Sequence, residues 1–193
     1  MTTYTMTPTG RRSLGVLMVA AVTIWLFAIW TFRSTLDLSY NPLLFFGSVQ
    51  AAIDRGLTID RVVPALLMFV LLIATPLVFW NLLEEWFARY SVLDDGLQFE
   101  SLGVALVYPW TAVRELRHVD DDDDEPMDEL VLAEDLTAQI RNPLLRFLHG
   151  QGYGRTRLPI YAGIERRGEL LSVIQQRAGL PTAEPMVGAV PGV

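Results

Sequence analysis

The 193-residue chain has no cysteine and no lysine. Without thiols there is no disulfide framework, no thiolate metal site and no cysteine nucleophile. Without lysine there is no Schiff base and no P-loop lysine, and all 15 basic residues are Arg. Histidine is scarce too: His118 and His149 are the only two. That is too few for a histidine-rich metal or haem centre, so no cofactor and no metal site are expected.

Charge is missing from two long runs, 13–32 and 62–83. At 1.5 Å per helical residue, about 20 residues span roughly 30 Å, the thickness of the bilayer's hydrocarbon core. Backbone polar groups must satisfy one another there, so both runs are expected to be helices forming a transmembrane hairpin. Thr23, Thr31, Thr75 and Asn81 are their main polar residues. Ion pathways and proton relays need ionisable groups within a span, so a transporter or pump role finds no support. A pigment-binding antenna would want an axial His, which neither run holds.

What is present is apolar and acidic: 51% hydrophobic residues and a net charge of −7, with mean hydropathy +0.32. Residues 1–12 read as a polar, flexible tail ending in Arg11 and Arg12. The rival reading of 1–32 is a signal peptide with a loose twin-arginine look. The run is long for that purpose and ends in Ile29, Trp30, Thr31 and Phe32, with no small-residue cleavage site. An uncleaved anchor is the expectation.

Arg11 and Arg12 abut the first span, which places both termini in the cytoplasm by the positive-inside rule. Trp30 and Phe32 suit one membrane interface, and Trp80, Trp86 and Phe87 the other. Trp25 lies too deep for such a belt and is expected to pack on a partner or on the sister helix. Pro76 sits inside the second span and should kink it.

The connecting loop, 33–61, carries an apolar segment at 41–53. Leu43, Leu44, Phe45 and Phe46 make it either a short interfacial helix or a docking patch for another membrane subunit. A loop folded over its own helix ends is the alternative.

A small domain follows at 84–181. Strands are expected at 89–93, 97–100 and 103–108, with Asp94, Asp95 and Gly96 as a hairpin turn and a positive φ at Gly96. Val113, Leu116 and Val119 mark an inward face beyond Pro109 and Trp110. Further strands are expected at 130–133, 138–141 and 157–161. His149, Gly150, Gln151, Gly152, Tyr153 and Gly154 read as a Gly-rich hairpin turn before the last of these. A closing helix runs over 165–178, with Leu170, Leu171, Ile174 and Ala178 inward, Gly179 as its cap and Pro181 as its stop. Residues 182–193 form a Pro/Gly/Ala-rich tail.

Short strands closed by one amphipathic helix, with Tyr90–Leu97 around the acidic turn and Tyr108–Leu116 around Pro109 and Trp110, resemble bacterial pleckstrin-homology-like (PH-like) domains that follow a pair of membrane helices. The resemblance covers 87–181 and the architecture upstream. It implies an α+β domain, an antiparallel β-barrel or sandwich with a C-terminal helix, that binds or scaffolds. It also implies a location in a bacterial cell membrane. Phosphoinositide-binding relatives use basic loops between the first strands, whereas Asp94 and Asp95 stand here and would repel phosphate.

Two charged features remain. Asp120, Asp121, Asp122, Asp123, Asp124 and Glu125 form an unbroken acidic run. Calcium loops space their ligands and need a Gly turn, so the run reads as a solvated loop or as a docking strip for a basic partner. The second half of the domain is rich in Arg, with Arg155, Arg157, Arg166 and Arg167 as candidates for contact with an anionic lipid surface. No residue set has the spacing of a catalytic site. The reading is therefore a non-catalytic scaffold or accessory subunit of a larger membrane complex. Its partners would be integral membrane subunits and the bilayer, not nucleic acid or a small-molecule substrate. A lipid-surface sensor using the Arg-rich half is the alternative.

Overall fold

In the computed structural model, residues 2–39, 41–54, 56, 58–119 and 127–181 are described. The chain divides into two compact units: residues 11–86, and residues 1–10 together with 87 onward.

The first unit is helical. It comprises α1 (Pro8–Leu36), most of which lies in this unit, α2 (Pro42–Asp54) and α3 (Ile59–Trp86). Both long helices outrun the apolar stretches that predict them, at 29 and 28 residues, and both are long and apolar enough to cross a membrane. Leu14, Ala21 and Ala28 are buried along one seam of α1 at seven-residue spacing. Phe32 packs near Phe69 with ring centroids 6.2 Å apart, and Gly15 lies beside the Trp86 ring. The two helices therefore run antiparallel.

Pro76 removes an N–H from α3, and the carbonyl it would have bonded, four residues back, belongs to Leu72. The Trp25 indole Nε1–H donates to that carbonyl across the helix pair at 3.2 Å. Trp25 thus packs on the sister helix. A groove of about 290 Å³, lined in part by Ala21, Trp25, Pro76 and Phe79, lies beside this bond. Trp25→Phe is expected to destabilise the helix pair by about 1 kcal/mol, the scale of hydrogen bonds between membrane helices. Pro76→Ala restores a donor within α3, so the same substitution should lose most of its effect in that background. Reversible unfolding in detergent micelles checks this. Equal losses in the two backgrounds would show that the indole does not act through the Leu72 carbonyl.

The second unit holds two antiparallel sheets. β1 (Thr2–Thr5), β2 (Arg89–Val92), β3 (Gly96–Ser101) and β4 (Val104–Pro109) follow one another in the first. β5 (Val113–Val119), β6 (Met127–Leu132) and β7 (Arg157–Ile160) form the second. The sheets do not close into a barrel. Helix α4 (Pro143–Tyr153) is inserted between β6 and β7, and α5 (Arg167–Ala178) closes the chain order. Tyr90, Leu97, Phe99, Leu106, Leu130, Leu158, Ile160, Leu170 and Ile174 are fully buried and make the core. Gly179 ends α5 in the left-handed conformation at φ 64°, as its position predicts.

Four local expectations are corrected. Residues 2–5 are a strand rather than part of a flexible tail: Thr2, Thr3, Tyr4 and Thr5 pair with Val92, Ser91, Tyr90 and Arg89. Gly96 has no positive φ; glycine is needed because a Cβ there would collide with the Tyr108 carbonyl oxygen. The strand expected at 138–141 is replaced by a 3-10 turn, Thr137–Gln139. Asp135 accepts from both the Thr137 amide (2.8 Å) and its hydroxyl (2.6 Å) and bends the chain there. The Thr137 hydroxyl bond, ahead of any other contribution, holds the Asp135 carboxyl below its ordinary pKa. Finally, the Gly-rich segment is not a hairpin turn but the last turn of α4. Asn142 caps α4 through Leu144 N–H (2.9 Å) and Leu145 N–H (3.4 Å), and Pro143 occupies its first turn.

Candidate interaction surfaces

The N-terminal strand is held on both sides. One edge pairs with β2. Along the other, Met6 bridges Ile164, Thr7 N–H bonds the Gly163 carbonyl at 2.9 Å, and Glu165 N–H bonds the Thr5 carbonyl at 2.9 Å. Tyr4 is buried, and its hydroxyl donates to Glu169 at 3.0 Å. Burial first, then that bond, raises the phenol above its ordinary pKa. Arg166 lies over the Tyr4 ring, 5.2 Å from its centroid. It adopts φ 51°, a left-handed conformation unusual for Arg, immediately before α5. The Met6 sulfur fits where Gly10 and Gly163 carry no Cβ.

The four arginines expected at a lipid surface each meet a carboxylate. Arg155 lies 3.9 Å from Asp135, Arg157 is 3.5 Å from Glu129, and Arg166 is 3.4 Å from Glu169. Arg167 bonds Asp128, which is buried between β6 and α5. His118 on β5 meets the other oxygen of Asp128 through Nδ1 at 2.7 Å. The basic half of the sequence is thus balanced locally by acids from both halves. His149 is buried, with its ring 5.7 Å from that of Phe99. Among the described residues, no three His, Asp or Glu side chains gather into a possible metal site.

The apolar loop segment forms α2. Leu43 is 90% exposed and Phe46 82% exposed, and Leu44 is exposed beside them. Phe45 lies on the same helix. The apolar character of 41–54 is interrupted by one charged residue, Asp54 at its end. α2 joins the ends of α1 and α3 that lie away from residues 10 and 87, so it belongs to the opposite end of the hairpin. The acidic run Asp120, Asp121, Asp122, Asp123, Asp124 and Glu125 lies outside the described residues.

One surface is not anticipated by the sequence reading. Along α4, His149 is buried while Leu144 (62%) and Phe147 (61%) point outward. Asn142 and Pro143 before an i, i+3 apolar pair are a helix-start signal that could have located this helix. Gly150 and Gly152 obscure it.

No family model, curated protein or solved structure matches the chain.

Proposed function

We propose that the chain is an integral membrane protein whose hairpin is inserted into a PH-like domain, acting as a non-catalytic accessory subunit or scaffold. Three features support the membrane reading. The most apolar windows of α1 and α3 have mean hydropathy 2.2 and 2.6. Only 17% and 11% of them are buried within the protein, unlike a core helix of a soluble fold. The pairing of β1 with β2 also returns the chain, after α3, to the sheet it left before α1. Two crossings satisfy that requirement and put both termini on one side. Arg11 and Arg12 favour the cytoplasm. Cleavage after the first span would remove β1, which favours an anchor over a signal peptide.

The PH-like reading rests on strand order. Four strands and then three, each joined to its sequence neighbour, with a helix after the last, is the layout that the resemblance implies. Both histidines have local structural partners: His118 bonds Asp128, and the His149 ring packs near that of Phe99.

The observation that carries the scaffold reading is the exposure of Leu43, Leu44 and Phe46 on α2. At 13 residues α2 is too short to cross a bilayer. Its apolar surface, on the connection between α1 and α3, suits a neighbouring membrane subunit. Gentle detergent extraction, native-gel separation and mass spectrometry test this. The wild-type chain is expected in a large complex of fixed composition. Leu43→Ser with Phe46→Ser should still be extracted from membranes yet leave that complex. Migration of the wild-type chain alone, or as a small homo-oligomer, would overturn the reading.

A further inference from the structure

The register of the first sheet places its two membrane connections at one end. Thr5 lies opposite Arg89, Arg89 opposite Glu100, and Glu100 opposite Ala105. The chain leaves this row towards α1 through Gly10 and enters it from α3 through Phe87. The opposite row, Thr2, Val92, Leu97 and Tyr108, ends in the exposed acidic turn at Asp94 and Asp95. Three strand residues, roughly 10 Å, separate the rows before the turns add their length. Both chain connections to α1 and α3 therefore leave the first sheet at one end, and the acidic turn lies at the other.

The β3–β4 turn, Leu102 and Gly103, projects beyond the connected row. Helix α4 reaches the same end. Gln139 bonds the Val107 backbone in both directions at 3.0 Å. Six residues later, Leu145 has come down beside Gly103. The helix then turns back, and His149 meets Phe99 one row further in. The first turn of α4 is thus at the connected end, with Leu144 and Phe147 pointing outward. The helix has no acidic residue, Arg141 stands exposed just before it, and Phe87 is 48% exposed where the chain arrives from α3.

We propose that Leu144 and Phe147, on the first turns of α4, sit in the headgroup layer of the same bilayer that α1 and α3 cross. This rests on the membrane reading above. An apolar pair on a polar domain, flanked by Arg, is the chemistry of a shallow interfacial contact. Continuity with the spans identifies the occupant as lipid. The contact would fix the orientation of the soluble unit on the membrane surface and leave the acidic turn facing the cytosol.

The natural absence of cysteine makes the test direct. Leu144→Cys, Phe147→Cys, Asp94→Cys and Val19→Cys are made singly in the full chain. Each is labelled with an environment-sensitive fluorophore and reconstituted into phosphatidylcholine vesicles containing nitroxide lipids, labelled either at the headgroup or deep in the acyl chain. All four side chains are exposed, so the labels do not disturb the core. Headgroup nitroxides are expected to quench labels at 144 and 147 several-fold more than the label at 94. Quenching at 144 and 147 no greater than at 94 overturns the proposal. The label at Val19, 69% exposed on α1, reports the spans separately. If deep nitroxides fail to quench it, the membrane reading itself falls.

Discussion

A fragment consisting of residues 87–181 is expected not to fold, whereas the same fragment carrying residues 2–10 ahead of it should fold as a soluble protein. The fragment lacks β1, and with it the buried side chains of Tyr4 and Met6. Loss of each large buried side chain costs about 2–5 kcal/mol. Two such losses rival the total stability of a small domain, about 5–15 kcal/mol. The ladder between Thr2–Thr5 and Arg89–Val92 is also lost, leaving β2 as a bare sheet edge open to aggregation. The remedy is an internal deletion: residues 11–86 replaced by a short Gly/Ser linker from Gly10 to Phe87. Thr5 and Arg89 face one another across the sheet, so the linker closes a hairpin without reordering the chain. Circular dichroism and thermal unfolding of the two proteins decide the matter. A cooperative transition for 87–181 alone, matching that of the internally deleted protein, would show that β1 adds nothing to the unit.

The same point explains what the sequence could and could not convey. The two long apolar helices were legible because an uncharged apolar run is a local property. Strands β2, β3 and β4 announced themselves by alternation and turn residues, and α5 by Leu170 and Ile174 with Gly179 behind them. β1 is four residues of Thr and Tyr, polar enough to pass as a tail. Its meaning lies in Tyr4 meeting Tyr90 and Glu169, which are 86 and 165 positions away. No periodicity in a four-residue window can encode such partners. The 3-10 turn at Thr137–Gln139 was missed because alternation of apolar and polar residues does not register the Asp135 side chain holding the backbone of Thr137.

The candidate surfaces divide along the same line. The apolar segment at Leu43, Leu44, Phe45 and Phe46 was visible as composition, and Leu43, Leu44 and Phe46 are exposed on α2. The Arg-rich half was visible too, but charge counted along the chain cannot show that β6 delivers Asp128 and Glu129 to Arg167 and Arg157. Leu144 and Phe147 were hidden because Gly150 and Gly152 lower helix propensity. Tertiary packing of Leu145 and His149 and the Asn142 cap outweigh that penalty.

Asp128→Ala is expected to be a strongly damaging substitution of a charged residue in the unit that holds the two sheets, costing about 3 kcal/mol. The Asp128 side chain is 7% exposed and that of Arg167 19%. Removing the carboxylate deprives a poorly solvated guanidinium of its counter-charge, a loss of about 3–5 kcal/mol when the pair is fully buried. The residual exposure of Arg167 places the effect at the lower end. Asp128→Asn preserves shape and an acceptor but not the counter-charge, and should cost less than Ala, about 2 kcal/mol, the scale of a hydrogen bond to a charged group. The damage should also travel. Arg167 opens α5, directly after Arg166, and Arg166 and Glu169 hold Tyr4 from that same turn. Loosening the start of α5 therefore weakens the grip on β1. Hydrogen exchange of the full-length protein in micelles checks this: the amides of residues 3–5 should lose protection in Asp128→Ala, while those of β3, between β2 and β4, keep theirs. If β1 stays as protected as in the parent, or if the thermal transition does not move, then Asp128 is a surface-type ion pair of little consequence. In that case α5 holds the N-terminal strand through Tyr4, Glu169 and Arg166 independently of the Arg167–Asp128 pair.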